Sequence, residues 1–140
     1  MAESPPPAPA LPGVKVMVID DSLTIRRSAE IFLTQGGCEV ILAEDGFDAL
    51  AKILDHQPDV IFLDILMPRL DGYQTCALLK KNARFAQTPV IMLSSRDGLF
   101  DRARGRMVGS DEYITKPFTK EALLKAVEAH VVQSCPSARS

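Results

Sequence analysis

Little in the bulk chemistry of this chain singles out a partner. Its 16 lysine and arginine residues nearly balance 18 aspartate and glutamate residues, leaving a formal net charge of −2 over 140 residues. With a pI near 5.7 there is no overall positive field to draw in nucleic acid, and no nucleic-acid partner is expected. Cysteine is scarce. Cys38, Cys76 and Cys135 are scattered, without any C-x-x-C spacing. That argues against a disulfide framework or a structural zinc site and favours reduced thiols in a cytoplasmic protein. No run approaches the ~20 apolar residues of a membrane-spanning helix, so no membrane insertion is expected. The opening, MAESPPPAPALPG, has neither the basic start nor the apolar core of a signal peptide.

What the chain does have is enough apolar residues for one core: 46% are hydrophobic and 24% charged, the balance of a globular domain. Residues 1–12 are rich in proline and alanine, and each X-Pro step pushes the chain toward extended forms, so a flexible tail is expected there. Residues 134–140 read as a frayed end, leaving a single folded domain over residues 13–133.

Within that domain apolar runs and amphipathic stretches alternate. Residues 14–19, VKVMVI, read as a strand. Ile25, Ala29, Phe32 and Leu33 then share one helical face, with Ser22 or Asp21 placed to cap the start and Gly36-Gly37 to end it. Strand CEVILA (38–43) is followed by a helix in GFDALAKILDHQP (46–58), with Ala49, Leu50, Ile53 and Leu54 on one side and Pro58 beyond its end. Strand DVIFLD (59–64) precedes helix GYQTCALLKKN (72–82), and strand PVIMLSS (89–95) precedes a shorter helix, GLFDRARGRMV (98–108), weakened by Gly105. Strand DEYIT (111–115) leads to a last helix over 120–133, with Leu123, Leu124, Val127 and Val131 on its apolar side.

Five βα units with apolar strands predict an α/β fold: a doubly wound, flavodoxin-like (βα)5 parallel sheet in strand order 2-1-3-4-5. Ligands of such sheets sit beyond the carboxyl ends of the strands, at the switch point between strands 1 and 3. Those ends are Asp20 and Asp21 on strand 1, Asp64 on strand 3, Ser94 and Ser95 on strand 4, and Thr115, Lys116 and Pro117 after strand 5.

Each of these has an ordinary structural reading. Asp21 with Ser22 can cap a helix, Asp64 can bind backbone amides, the serines can turn the chain, and lysine is usually a solvated surface residue. Separate accidents do not explain why every central strand delivers a polar group to one rim. Three close carboxylates repel unless a cation intervenes. Mg²⁺, a hard ion with oxygen ligands, suits such a set. A carboxylate can also act as a covalent nucleophile, forming an aspartyl phosphate. Phosphoryl transfer needs mainly positioning and charge neutralisation, which Mg²⁺ and Lys116 supply, with a hydrogen bond from Ser94. The Lys116-Pro117 bond is a candidate for the cis form, which would turn the lysine toward the rim.

The segments VIDD (18–21), LDILMPRLDG (63–72), LSS (93–95) and YITKPF (113–118) resemble the receiver domain of two-component response regulators. The spacings are similar too: Ser94 lies 30 residues after Asp64, and Lys116 lies 22 after Ser94. The resemblance implies that Asp64 is the phosphoacceptor, that Asp20, Asp21, Asp64 and the carbonyl of Leu66 hold Mg²⁺, and that Lys116 holds a phosphoryl oxygen. Ser94 would be the switch hydroxyl and Tyr113 the switch aromatic. A chemotaxis-like histidine kinase would be the phosphodonor. A downstream protein would bind the face formed by predicted helix 4, strand 5 and helix 5.

Longer segments, among them KVMVIDDSLTIRRSAE and TPVIMLSSRDGLFDRARGR, are similar to single-domain receivers that govern type IV pilus twitching motility. The sequence ends soon after the last helix, so output through protein contacts is expected. Leu66 cannot orient a hydrolytic water, which predicts slow self-dephosphorylation unless Arg96 compensates. Arg102, Arg104 and Arg106 read as a solvated face or as a docking patch for an acidic partner. Two other readings stay open: a receiver-like module that docks without phosphorylation, and a Mg²⁺-dependent aspartyl phosphatase. The phosphatase pattern needs Asp-x-Asp on strand 1, whereas Asp20 and Asp21 are adjacent.

Overall fold

The computed structural model describes residues 11–67, 69–94 and 109–134. Strands β1 (Lys15–Ile19), β2 (Glu39–Ala43), β3 (Val60–Asp64), β4 (Val90–Ser94) and β5 (Glu112–Thr115) alternate with helices α1 (Leu23–Gln35), α2 (Gly46–His56), α3 (Gly72–Lys81) and α4 (Lys120–Ser134). Here α4 is the predicted last helix. The predicted helix over 98–108, with Ser95, Arg96, Arg102, Arg104 and Arg106, lies outside the described residues, as do Pro68 and Cys135.

All four strand pairings are parallel and the order is β2-β1-β3-β4-β5, as expected. Alternation along the strands divides the core in two. Met17, Ile19, Ile61, Leu63 and Met92 face Ala49 and Ile53 of α2 and Cys76 and Leu79 of α3. Val16, Val18, Phe62, Ile91 and Leu93 face Ala29 and Leu33 of α1 and Leu123 and Val127 of α4. Every residue of β3 and β4 is buried, which accounts for their continuous apolar runs. Burial of a large side chain such as Phe62 contributes on the order of 2–3 kcal/mol, so both faces hold the central strands in register.

The helix ends follow local chemistry. Ser22 caps α1 by accepting from the Ile25 N–H, which decides between the two candidate caps. Asp71 and Gln74 form a reciprocal capping box at α3. Helix α2 ends at Gln57 in the left-handed region, one residue before Pro58.

Two details differ from the sequence reading. Leu54 is 47% exposed: the buried stripe of α2 runs through Gly46, Ala49 and Ile53, and Leu54 lies about 100° round the helix from Ile53. Leu11, placed in the tail, is buried on the α1/α4 side, and its N–H donates to the Gly36 carbonyl at 3.0 Å.

Candidate functional site

The β1 ladder continues one residue past the strand, because the Asp20 N–H donates to the Ala43 carbonyl at 3.1 Å. This fixes the Asp20 side chain, which is fully buried. Its Oδ1 accepts from the Ser22 N–H at 2.9 Å and its Oδ2 from Lys116 Nζ at 2.8 Å. Arg26, one turn into α1, donates to the Asp20 carbonyl at 2.6 Å. Asp21, the next residue, is exposed. Asp64, at the end of β3 and 4% exposed, accepts from the same Lys116 Nζ at 2.9 Å through Oδ1. Carboxylate oxygens of Asp20, Asp21 and Asp64 lie within 4.8 Å of one another.

Lys116 reaches this point because β5 pairs with β4 up to Ser94 and Thr115, and its own N–H then donates to the Ser94 carbonyl at 2.6 Å. The Lys116-Pro117 peptide is cis. One ammonium therefore pairs with two of the three carboxylates, Asp20 and Asp64. Burial raises the Asp64 pKa to about 6, the charges of Asp20 and Asp21 add to the rise, and Lys116 opposes it. Burial by itself would lower the Lys116 pKa, but hydrogen bonds and charge from Asp20 and Asp64 outweigh it and hold the ammonium above its ordinary value. The Asp64 shift is thus mainly the cost of burial, and the Lys116 shift the effect of its two carboxylate partners.

Ser94 is 7% exposed at the end of β4 and continues the strand face of Val90 and Met92. Tyr113 pairs with Met92 in the β4–β5 ladder and is half-buried against the same α2/α3-side core. Ser94 and Tyr113 thus share one face of adjacent strands. Leu66 follows β3 with its side chain 71% exposed, while Ile65 and Met67 on either side are buried in the core.

The turn back into α3 is equally constrained. The Gly72 N–H donates to the Ile65 carbonyl at 2.8 Å. A Cβ on Gly72 would collide with the Asp64 carbonyl oxygen and come within 2.7 Å of the Ile65 Cα, so glycine is required by close approach.

All the polar groups expected at the rim that fall within the described residues are at the strand ends, and Asp20, Asp21, Asp64 and Lys116 converge. Sequence reasoning missed Arg26, and it missed a second contact set. Arg69, in the loop after β3, pairs with Asp45 at the α2 N-terminus at 2.6 Å and stacks over the Phe47 ring at 5.3 Å. The only sequence signal for that set was the Asp-Gly at 45–46, an N-cap pattern.

A parallel five-stranded sheet with an acidic cluster and a lysine at its carboxyl edge defines a doubly wound fold with its polar site where such sheets bind ligands. The chain belongs to the response regulator receiver domain family, whose sequence model matches residues 16–128. It is 68% identical over 124 residues to Protein PilG of Pseudomonas aeruginosa, covering 89% of this chain and 92% of that protein. It is 37% identical over 124 residues to response regulator MprA of Mycobacterium bovis, and it spans about half of that longer protein (53%). Among solved structures, chemotaxis protein CheY4 of Vibrio cholerae superposes with a TM-score of 0.81 at 33% identity, covering 84% of this chain and 98% of that one. The Francisella response regulator 1452 receiver domain gives a TM-score of 0.79 at 35% identity, covering 86% and 98%.

Receivers are signalling modules of two-component systems and work with a kinase and downstream partners. They bind Mg²⁺ at an acidic pocket, and the all-oxygen donor set of Asp20, Asp21 and Asp64 fits a hard divalent ion. Among the described residues no helix is long and apolar enough to cross a membrane.

Proposed function

We propose that Asp64 accepts a phosphoryl group from a histidine kinase and that the resulting charge resets a protein-binding face. The observation that carries this reading is a buried carboxylate at a strand end, within 2.9 Å of a lysine ammonium and 4.8 Å of two further carboxylates.

Asp20, Asp21, Asp64 and the Leu66 carbonyl would hold Mg²⁺, whose chemistry is to neutralise the charge of the phosphoryl oxygens. Asp20 is locked by its bonds to the Ser22 N–H and Lys116, whereas exposed Asp21 is the carboxylate better placed to meet the ion. An Asp64 oxygen attacks the phosphorus of a phosphohistidine; a P–O bond forms, the P–N bond breaks, and the imidazole leaves with the electron pair. Lys116 already touches Asp64 and moves its hydrogen bond to a phosphoryl oxygen. The new dianion draws the Ser94 hydroxyl toward it, and Tyr113, on the same face, follows into the space released.

Tyr113 sits on β5, so the change reaches β5 and α4; the predicted helix over 98–108, the other part of the expected partner face, lies outside the described residues. The shift in the partner's affinity is limited by the contacts that differ between the two states. The likeness to regulators of type IV pilus twitching motility, supported by the 68% identity to Protein PilG, points to a chemotaxis-like kinase, a pilus pathway and a cytoplasmic location.

Incubation with Mg²⁺ and acetyl phosphate or phosphoramidate should add one phosphoryl group by intact mass, and Asp64→Ala should add none. Absence of a mass gain in the natural sequence would leave a docking module that works without phosphorylation. Sustained hydrolysis of small phosphoesters would instead restore the phosphatase reading.

A further inference from the structure

Arg69 has a φ of +67°, in the left-handed region that glycine and asparagine occupy at low cost and a long side chain does not. An unfavourable backbone conformation persists only where its surroundings impose it. Here the side chain supplies the reason. Its Nη2 donates to Asp45 Oδ2 at 2.6 Å, and its guanidinium lies over the Phe47 ring.

Asp45 is not a passive partner. Its other oxygen caps α2 by accepting from the Asp48 N–H at 2.8 Å, and that bond, with help from Arg69, holds its carboxyl below the usual range. A third contact lies beside these. A Cβ on Gly46 would collide with Thr75 Oγ1 and reach 2.8 Å from Leu70 Cδ2, so the start of α2 backs directly onto the loop and the start of α3. The chain from Asp64 to Gly72 is therefore held at three places: by Ile65 and Met67 in the core, by the Gly72 N–H on Ile65, and by Arg69 on α2.

We propose that Arg69 is a positioning residue, its guanidinium latching the β3–α3 loop to the N-terminus of α2 so that the backbone after Asp64 is preset to receive Mg²⁺. The latch itself is read from contacts. Its consequence for the metal rests on the phosphoacceptor reading above. Arg69 touches none of the reacting groups. It acts on the loop that carries Leu66, and fixing a ligand-bearing loop before binding removes the ordering cost of binding.

The test compares Arg69→Gly, Arg69→Lys and Asp45→Asn with the natural sequence. Glycine accepts the backbone angle but loses the latch. Lysine keeps the charge without the planar fork. Asparagine keeps an oxygen to cap α2 but drops the charge.

In metal-free protein, amide exchange at Gly72 should rise about three- to tenfold in Arg69→Gly, the effect of losing a surface ion pair and a cation–π contact. Exchange at Val18 and the urea midpoint should stay near the original. The Mg²⁺ concentration giving half-maximal phosphorylation by acetyl phosphate should rise by a similar factor, with the limiting rate at saturating Mg²⁺ changed by less than about twofold. Arg69→Lys should recover part of both effects. Arg69→Gly combined with Asp45→Asn should be no worse than Arg69→Gly alone, because the two residues act through one contact.

Unchanged Gly72 exchange in Arg69→Gly overturns the latch. Increased exchange with an unchanged Mg²⁺ requirement overturns its coupling to the metal. If the natural sequence takes up no phosphoryl group, the phosphoacceptor reading and the coupling fall together, and the exchange measurement still decides the latch.

Discussion

The burial of Asp64, with the charges of Asp20 and Asp21 beside it, predicts that replacing the candidate nucleophile makes the metal-free protein more stable at neutral pH. Asp64 is 4% exposed, shares one ammonium with Asp20 and lies near Asp21, and its pKa stands at about 6 against an ordinary 3.8. At about 1.4 kcal/mol per decade, ionised Asp64 costs the fold roughly 3 kcal/mol. The sign follows from the direction of the shift. A raised pKa means that the folded protein holds this proton more tightly than the unfolded chain does. The contribution is fully present below pH ~4, fades as pH rises through about 6, and is gone above pH ~7.

Asp64→Asn removes the titration while leaving an oxygen that accepts from Lys116. Urea unfolding of both proteins in a chelator, from pH 4 to 8, isolates the effect in their difference. Other groups cancel there, including Asp45, whose lowered pKa gives the opposite slope: stability present above its unfolded value and lost as pH falls. The variant should gain on the natural sequence between pH ~4 and ~7 and level off about 2–3 kcal/mol ahead, allowing for a weaker hydrogen bond to Lys116. Millimolar Mg²⁺ at pH 7.5 should close much of that gap, because binding to the folded state stabilises the protein that keeps all three carboxylates. A parallel pH dependence in the two proteins, or a less stable Asp64→Asn at pH 7.5, would refute the account of Asp64 as a carboxylate that is costly to ionise in the fold.

How far the sequence disclosed this site depends on which atoms do the work. Side chains at strand ends were legible, because the parity and length of five apolar runs determine where each strand stops. Once Val60–Asp64 is a buried central strand, Asp64 has to emerge at the rim. Right-handed crossovers left few strand orders, and five βα units fitted the flavodoxin-like order 2-1-3-4-5 without side-chain detail. Contacts set by loop conformation were not legible. Arg69 meets Asp45 because of one left-handed backbone angle, and no periodicity announces such an angle at an arginine. Arg26 was hidden for another reason: it binds the Asp20 carbonyl, and a main-chain acceptor leaves no trace in residue identity. The outward position of Leu54 was lost because a list of apolar residues at helical spacing does not show where the buried arc ends.

Two further substitutions probe the turn behind Asp64. Gly72→Ala places a methyl group against the Asp64 carbonyl and the Ile65 Cα, both backbone atoms that cannot swing aside. It should cost about 1–3 kcal/mol in urea unfolding and slow acetyl phosphate uptake by moving the end of β3, whereas unchanged stability would mean that the turn yields easily. Leu66→Asn tests phosphoryl lifetime. The leucine side chain is 71% exposed next to the rim and offers no hydrogen bond to an approaching water. An amide there should shorten the half-life of the phosphorylated protein about tenfold, below the ~10²-fold lower end for true general acid–base catalysis, because it orients water without taking its proton. A half-life of seconds in the natural sequence, or no change on substitution, would show that another group already places that water.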